Sequence, residues 1–382
     1  MVFSNNLLMG AAAAASGGGD VVYVPKGSIW FDRGNSYLTR TPGSAGNRKT
    51  FSLSCWIKYS TLSADQVIWD AAPSGDGNED MFLIRSDNVP EWMGAGYDYA
   101  KATRVLRDPT AWYHILIVID STNVVASQRA LMWINGELIT NTAGNTITLN
   151  ADATYWNNTN LHSIGNRQHP SVGASSRYGG YLSEAISLDG YAATPSDFGQ
   201  YNSKGVWVPI DPTDLVTANK GSLGFWLDFA DSSDLGNDVS GNNNDWALTG
   251  LSSTNASADR CSDEAGDTGN FATFNSAYRE GSGYNVPLSN GNLTYANSGF
   301  GAVSSAIGTI GVSSGKFYWE VSWSAASPYL SSRVGIAQVD DRAANPDGGS
   351  SQYLGRTAGS WSFAAWASGA NAGKKETNAS FS

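Results

Sequence analysis

Hydrolysis of a glycosidic bond needs two carboxylates about 5 to 10 Å apart, and a strand commonly supplies them as alternating acids. No E-x-D-x-E run occurs in the 382 residues. Glu184 and Asp189 share one segment, but their odd spacing puts them on opposite faces of a strand. Other acids suit oxygen coordination better. Asp76, Asn78, Glu79 and Asp80 crowd the Gly-rich stretch GDGNED, which makes Asp76, Asn78 and Asp80 a candidate calcium site, with a solvated acidic loop as the alternative. Asp228, Asp231, Asp234 and Asp238 form a second acidic loop, DFADSSDLGNDVSGNNND. It misses the EF-hand spacing, and turn capping by Asp and Asn accounts for it equally well. His114, His162 and His169 are the only three histidines and include no i, i+4 pair. Neither Cys55 nor Cys261 has a CxxC partner, so neither structural zinc nor a disulfide framework is expected. Apart from that calcium candidate, no cofactor is expected.

Sugar recognition draws on exposed aromatic rings that stack on pyranose faces, with amides and charged groups nearby for the hydroxyls. Two groups qualify. One is Trp92, Tyr97 and Tyr99; the other runs from Tyr155, Trp156, Asn157 and Asn158 through Asn166, Arg167 and His169 to Tyr178. Both lie outside the strongest strand signals, in the loops where binding residues gather. Aromatic residues also close the ends of β-sandwiches, and that alternative stands beside the functional one.

The elements that must position these residues are strands. Phe51 to Tyr59 alternates, with Phe51, Leu53, Cys55, Ile57 and Tyr59 on one face and Ser52, Ser54, Trp56 and Lys58 on the other, which predicts a half-buried strand. Trp112 to Ile119 is apolar almost throughout and predicts a strand covered on both faces, with His114 inside it. In LMWINGEL, Asn135-Gly136 predicts a tight hairpin with positive φ at both central residues. Leu161–Gly165 and Gly180–Leu188 complete the series. No stretch carries a sustained helical period.

The ordered series FSLSCWIKYS, WYHILIVID, MWINGEL, HSIGN and YGGYLSEAISLDG resembles the laminin-G/concanavalin-A-like jelly roll. The resemblance implies an all-β chain with a concanavalin-A-like jelly-roll sandwich over residues 20–212. Pro209 and Pro212 mark its end, and residues 213–290 read as a linker with an Asp/Asn-rich loop. Within that stretch, Trp226–Phe229 and Asp238–Asp245 resemble words that often open such a sandwich. From 291 to 382 a second β-domain is expected: GKFYWEVSW followed by SRVGIAQV resembles a SPRY domain. The later words of that family are missing before Ser382, which reads as truncation.

The first 19 residues, MVFSNNLLMGAAAAASGGG, contain no Lys or Arg, unlike a signal peptide, and their apolar stretch is too short to span a bilayer. Phe3, Leu7, Leu8 and Met9 are the expected anchors against another subunit, with a disordered tail as the alternative. The net charge of −11 argues against a nucleic-acid partner, which needs clustered cations. The whole layout resembles a family of tailed-bacteriophage virion proteins. That resemblance implies a tail fibre or spike located in the virion, a homotrimer without membrane insertion, that carries β-domains for host-surface glycans. Two alternatives stay open: capsid decoration without a receptor role, and a glycan hydrolase.

Overall fold

The computed structural model describes residues 23–73, 78–109, 111–168, 176–262 and 270–281, and shorter stretches at 288–289, 292–295, 304–311, 319, 321–322, 331–337, 360–366, 374–377 and 380–381. The chain divides into two compact units, one dominated by residues 8–272 and the other by 273–311 and 319–382. Phe3, Leu7, Leu8 and Met9 lie outside the described residues.

The first unit opens with β1 (Ser28–Asp32), β2 (Tyr37–Arg40), β3 (Thr50–Tyr59) and β4 (Gln66–Ala72). Next come β5 (Asp80–Ile84), β6 (Pro90–Gly94), β7 (Tyr97–Lys101) and β8 (Tyr113–Asp120). Then follow β9 (Ala130–Ile134), β10 (Glu137–Leu138), β11 (Leu161–Ile164) and β12 (Gly179–Asp189). The unit closes with β13 (Gly199–Tyr201), β14 (Trp207–Pro209), helix α1 (Thr213–Asn219), β15 (Phe225–Leu227), β16 (Ala247–Thr249) and β17 (Ala256–Ser257).

Two antiparallel sheets face each other. The first runs β10-β9-β8-β3-β12-β1-β17, with β15 also paired to β12; the second runs β16-β2-β11-β4-β5-β6-β7. Alternation decides what lies between them. Phe51, Leu53, Cys55, Ile57 and Tyr59 of β3 meet Trp69, Phe82, Trp92 and Ile164 of the facing sheet in one continuous core. The Asn135-Gly136 turn has φ of 52° and 79°, the positive values its sequence predicts, and joins β9 to β10.

The outer face of β3 departs from expectation. Ser52, Ser54, Trp56 and Lys58 are buried, not solvated, because a third layer covers the first sheet. Val216 of α1, Phe198 and Trp226 pack on Leu116, Val118 and Ile186, while Cys261 and Trp112 pack on Trp56 and Tyr181. Lys58 enters this layer as a paired charge, 2.9 Å from Asp259 and 2.7 Å from both Asn270 Oδ1 and the Phe271 carbonyl.

Residues 213–262 are therefore sandwich, not linker. β15 adds to β12, β16 to β2 and β17 to β1, so this segment contributes strands to both sheets. Trp246 inserts into the core, edge-on to Phe225 at 5.0 Å. The Asp/Asn-rich loop is a capping structure: Asp238 accepts from the backbone N–H groups of Trp226, Ser240 and Asn244 and from the Ser240 hydroxyl, all at 2.9 Å. Asp231 and Asp234 cap the turns that follow them. These carboxylates are spent on the fold, which is why the acidic spacing matches no cation loop.

In the second unit, Phe274–Gly281 pairs with Ser304–Gly308, and Leu288–Ser289 with Thr294–Tyr295. Four antiparallel strands follow: Ser331–Ala337, Ser360–Trp366, Lys374–Thr377 and Ser380–Phe381. SRVGIA lies within the first of these. Of GKFYWEVSW, only Trp319, Val321 and Ser322 are among the described residues.

Candidate functional site

Asp80 begins β5 with its side chain turned inward at one end of the second sheet. Its Oδ1 accepts from the Ala95 N–H at 3.0 Å, and its Oδ2 from the N–H groups of Tyr155 and Trp156 at 2.7 and 2.8 Å. One carboxylate thus joins the turn between β6 and β7 to the segment before β11. Burial pushes its pKa up, while the three N–H donors and the Arg48 charge pull it back. Burial and three N–H donors commit the Asp80 carboxylate to the fold. Asp76 lies outside the described residues, and Asn78 is held against Gly96, where an added Cβ would meet its Oδ1 at 2.8 Å. Among the described residues, no group of three or more acids, His or Cys could hold a metal.

The turn pinned by Asp80 leads into β7 and its one exposed ring. Tyr97 is 57% exposed and lies 6.5 Å from the half-buried Tyr99 at 42°. Ala95 and Gly96 take φ of 49° and 83°, and Gly94 leaves space that a Cβ would close to 2.8 Å from the Tyr99 ring. The edge of β7 is capped by Asn141, whose amide donates to the Tyr99 carbonyl and accepts from the Lys101 N–H, both at 2.9 Å. Beside it, Tyr155 is half-buried. Arg48 holds that loop by donating to the carbonyls of Ala153 at 2.8 Å and Thr154 at 3.3 Å. The Asp80 carboxylate therefore ties the backbone of the turn before Tyr97 and Tyr99 to the backbone of the Tyr155 loop.

The remaining predicted residues go elsewhere. Trp92, Trp156 and Tyr178 are core residues, 2%, 1% and 0% exposed, and cannot offer a face to a sugar. Trp156 packs edge-on to Trp92 and Trp69, and the Tyr178 hydroxyl donates to the Tyr181 carbonyl. Arg167 grips the buried Glu79 carboxylate, with Nε 3.1 Å from both oxygens and Nη2 2.8 Å from Oε2. Asn166 accepts from Arg177 Nε at 3.3 Å and is buried. Both serve the fold. His169 lies outside the described residues. Arg48, Asn141 and Gly94 escaped the sequence reading; the signal that could have found Gly94 is the motif WMGAGYDY, two glycines before alternating tyrosines.

The two acids of β12 are both committed to the fold. Asp189 accepts from the N–H groups of Asn47, Ser222 and Leu223, the Asn157 amide and the Ser222 hydroxyl. Glu184 sits at a β-bulge of β12 with φ 50°, accepting from Trp226 Nε1 at 2.7 Å and the Tyr23 hydroxyl at 3.0 Å. Burial, and then the nearby Asp228 charge, push it up to about 8. The small depression that Glu184 lines holds no second carboxylate.

Strand order, sheet pairing and core define a concanavalin A-like sandwich fold. Residues 32–187 match the family model described as the concanavalin A-like lectin/glucanases superfamily. Among solved structures, a Bacteroides ovatus protein assigned as carbohydrate-binding is 16% identical over 60% of this chain and 61% of its own, with a TM-score of 0.38. A heptameric SAP-like pentraxin from Limulus polyphemus is 15% identical over 46% of this chain and 80% of its own, at 0.33. The CBM40 of a Ruminococcus gnavus IT-sialidase is 12% identical over 41% of this chain and 89% of its own, at 0.29. No curated protein matches the chain.

Proposed function

We propose that the first unit is a glycan-binding module and that the chain is a tail-fibre or spike subunit of a tailed-bacteriophage virion. The observation that carries the binding reading is the rim itself: Tyr97 and Tyr99 on a turn locked to the Tyr155 loop by the Asp80 carboxylate. Rigid tyrosines give large, amphipathic contact at low entropic cost, which suits a sugar with one apolar face and many hydroxyls. Several copies in one fibre would turn weak single-site affinity into firm attachment.

The virion reading rests on the sequence layout, and the SPRY-like reading of the second unit belongs with it. Asn157 and Asn255 each open an Asn-X-Ser/Thr triplet, and both side chains are buried. The Asn157 amide donates to the Asn47 carbonyl at 2.9 Å and Asp189 at 3.0 Å, and the Asn255 amide to the Trp30 carbonyl at 2.9 Å. A glycan on either nitrogen would break these contacts. Two measurements test the proposal. Tyr97→Ala in the full chain is expected to weaken binding to host-surface polysaccharide about tenfold without lowering the melting temperature, and unchanged binding removes the rim as the site. Deleting residues 1–19 is expected to abolish incorporation into particles while leaving a folded protein; normal incorporation removes the anchoring role.

A further inference from the structure

We infer that the loop between β8 and β9, with residues 147–150 beside it, is where one copy of this chain meets another through uncharged, aliphatic contact. Val124, Val125 and Leu149 are 83%, 50% and 44% exposed, whereas Ile119 and Ala130, which flank the loop, are buried. The backbone that presents them is fixed. Arg129, itself buried, donates from Nε to the Asn123 carbonyl at 2.7 Å, from Nη1 to that of Ile147 at 2.9 Å and from Nη2 to that of Val124 at 3.2 Å. One guanidinium thus holds both segments, and the Asn150 N–H closes on the Ser121 carbonyl at 2.8 Å. The Asn123 side chain accepts from the Val125 N–H at 2.9 Å, and a 3-10 turn follows at Ala126–Gln128. A loop already ordered loses little freedom on contact, which lowers the cost of association.

Charge selects the occupant. Neither 121–128 nor 143–151 contains a charged residue, and Arg129 turns its guanidinium inward onto backbone carbonyls. Asp120, where the loop begins, accepts from the Thr50 and Thr122 hydroxyls and from the Thr122 N–H. A strongly charged partner finds no complement on such a surface. Two copies of a chain with net charge −11 repel one another, and that repulsion is least where the facing surfaces carry no charge. Exposed aliphatic side chains on a rigid, charge-free loop therefore fit a second copy of the same chain. The contact is independent of any sugar held at the Tyr97 turn.

The test is sedimentation of the full chain between about 1 and about 100 µM, at about 50 mM and about 500 mM salt. The expected result is an oligomer whose dissociation constant falls at least about threefold at the higher salt, as screening relieves the repulsion between acidic copies. Val124→Asp combined with Leu149→Asp puts unpaired charges into the contact and is expected to raise that constant about a hundredfold or more. Both side chains are exposed, so the far-UV circular dichroism of the double variant is expected to match the wild type. Leu138 is 55% exposed beyond the hairpin at the other end of β9, and Leu138→Asp is expected to leave the constant unchanged. A wild type that is monomeric throughout, or whose association weakens with salt, overturns the inference. So does a double variant that associates like the wild type, or an equal loss in Leu138→Asp.

Discussion

At the residue scale, Asp80 decides whether the rim exists. Its carboxylate is the common acceptor for three N–H groups from two loops, and hydrogen bonds to a charged acceptor are each worth about 1.5 to 3 kcal/mol. Asp80→Asn keeps the volume but turns one oxygen into a donor facing N–H groups. We expect it to lower unfolding free energy by about 2 to 4 kcal/mol and to weaken glycan binding, both read by denaturant titration and a binding isotherm on the same sample. Wild-type stability in this variant would mean that the two loops are held by something else. Gly94→Val reaches the same carboxylate from the ring side: its Cβ would lie 2.8 Å from the Tyr99 ring and 3.3 Å from Asp80 Oδ1, so affinity and unfolding free energy are expected to fall together, the latter by about 1 to 3 kcal/mol.

At the element scale, the strands of 213–262 and the outer layer are inseparable from the sheets. A fragment ending at residue 212 lacks β15, β16 and β17 and exposes Leu116, Val118 and Ile186; it is expected to aggregate, whereas a fragment ending at 272 melts cooperatively. Equal melting of the two fragments would show the late strands to be dispensable. Lys58 ties the last part of this layer to β3 through Asp259, which also accepts from Trp112 Nε1 at 3.1 Å. Removing one member of a buried ion pair typically costs about 3 to 5 kcal/mol. Lys58→Met is expected to fall in that range, and adding Asp259→Asn is expected to recover part of it, as a double-mutant cycle by denaturation will read.

At the scale of the whole molecule, buried titrating groups set the pH dependence of stability. Burial pushes Asp70 and Glu184 up to about 8 from ordinary values of 3.8 and 4.5. Between those limits the native state binds more protons than the unfolded chain, so their contribution is full at low pH and is lost as pH rises toward 8. Burial holds His114 down to about 3 and His162 to about 4, from 6.5. Their contribution is full above 6.5 and is lost as pH falls. From roughly pH 4.5 to 6.5 the two pairs oppose each other; above that only the carboxylates act, each by up to about 1.4 kcal/mol per pH unit. Thermal midpoints are therefore expected to fall from pH 6.5 to 8, and Glu184→Gln to remove part of that fall. A midpoint rising over this interval would contradict the assignment.

Alternation in β3, the unbroken apolar run of β8 and the Asn135-Gly136 turn were legible in the sequence because each is a local pattern of period two or of positive φ. They determined an all-β sandwich with its central strands in the right order. The strands β4 to β7 were not among those named, and the apolar strand at β15 with its return after Trp246 was legible but was assigned to a linker outside the sandwich, because its partners lie far away in the chain. The same limit applied to the site. Trp92 and Tyr97 look alike as letters in a loop, and only packing made one core and the other surface. Asp80 read as a cation ligand within its loop, whereas three backbone donors, two of them 75 and 76 residues away, commit it to the fold. Which acids, cations and rings remain available to a ligand was decided by long-range hydrogen bonds and burial, which a linear pattern does not encode.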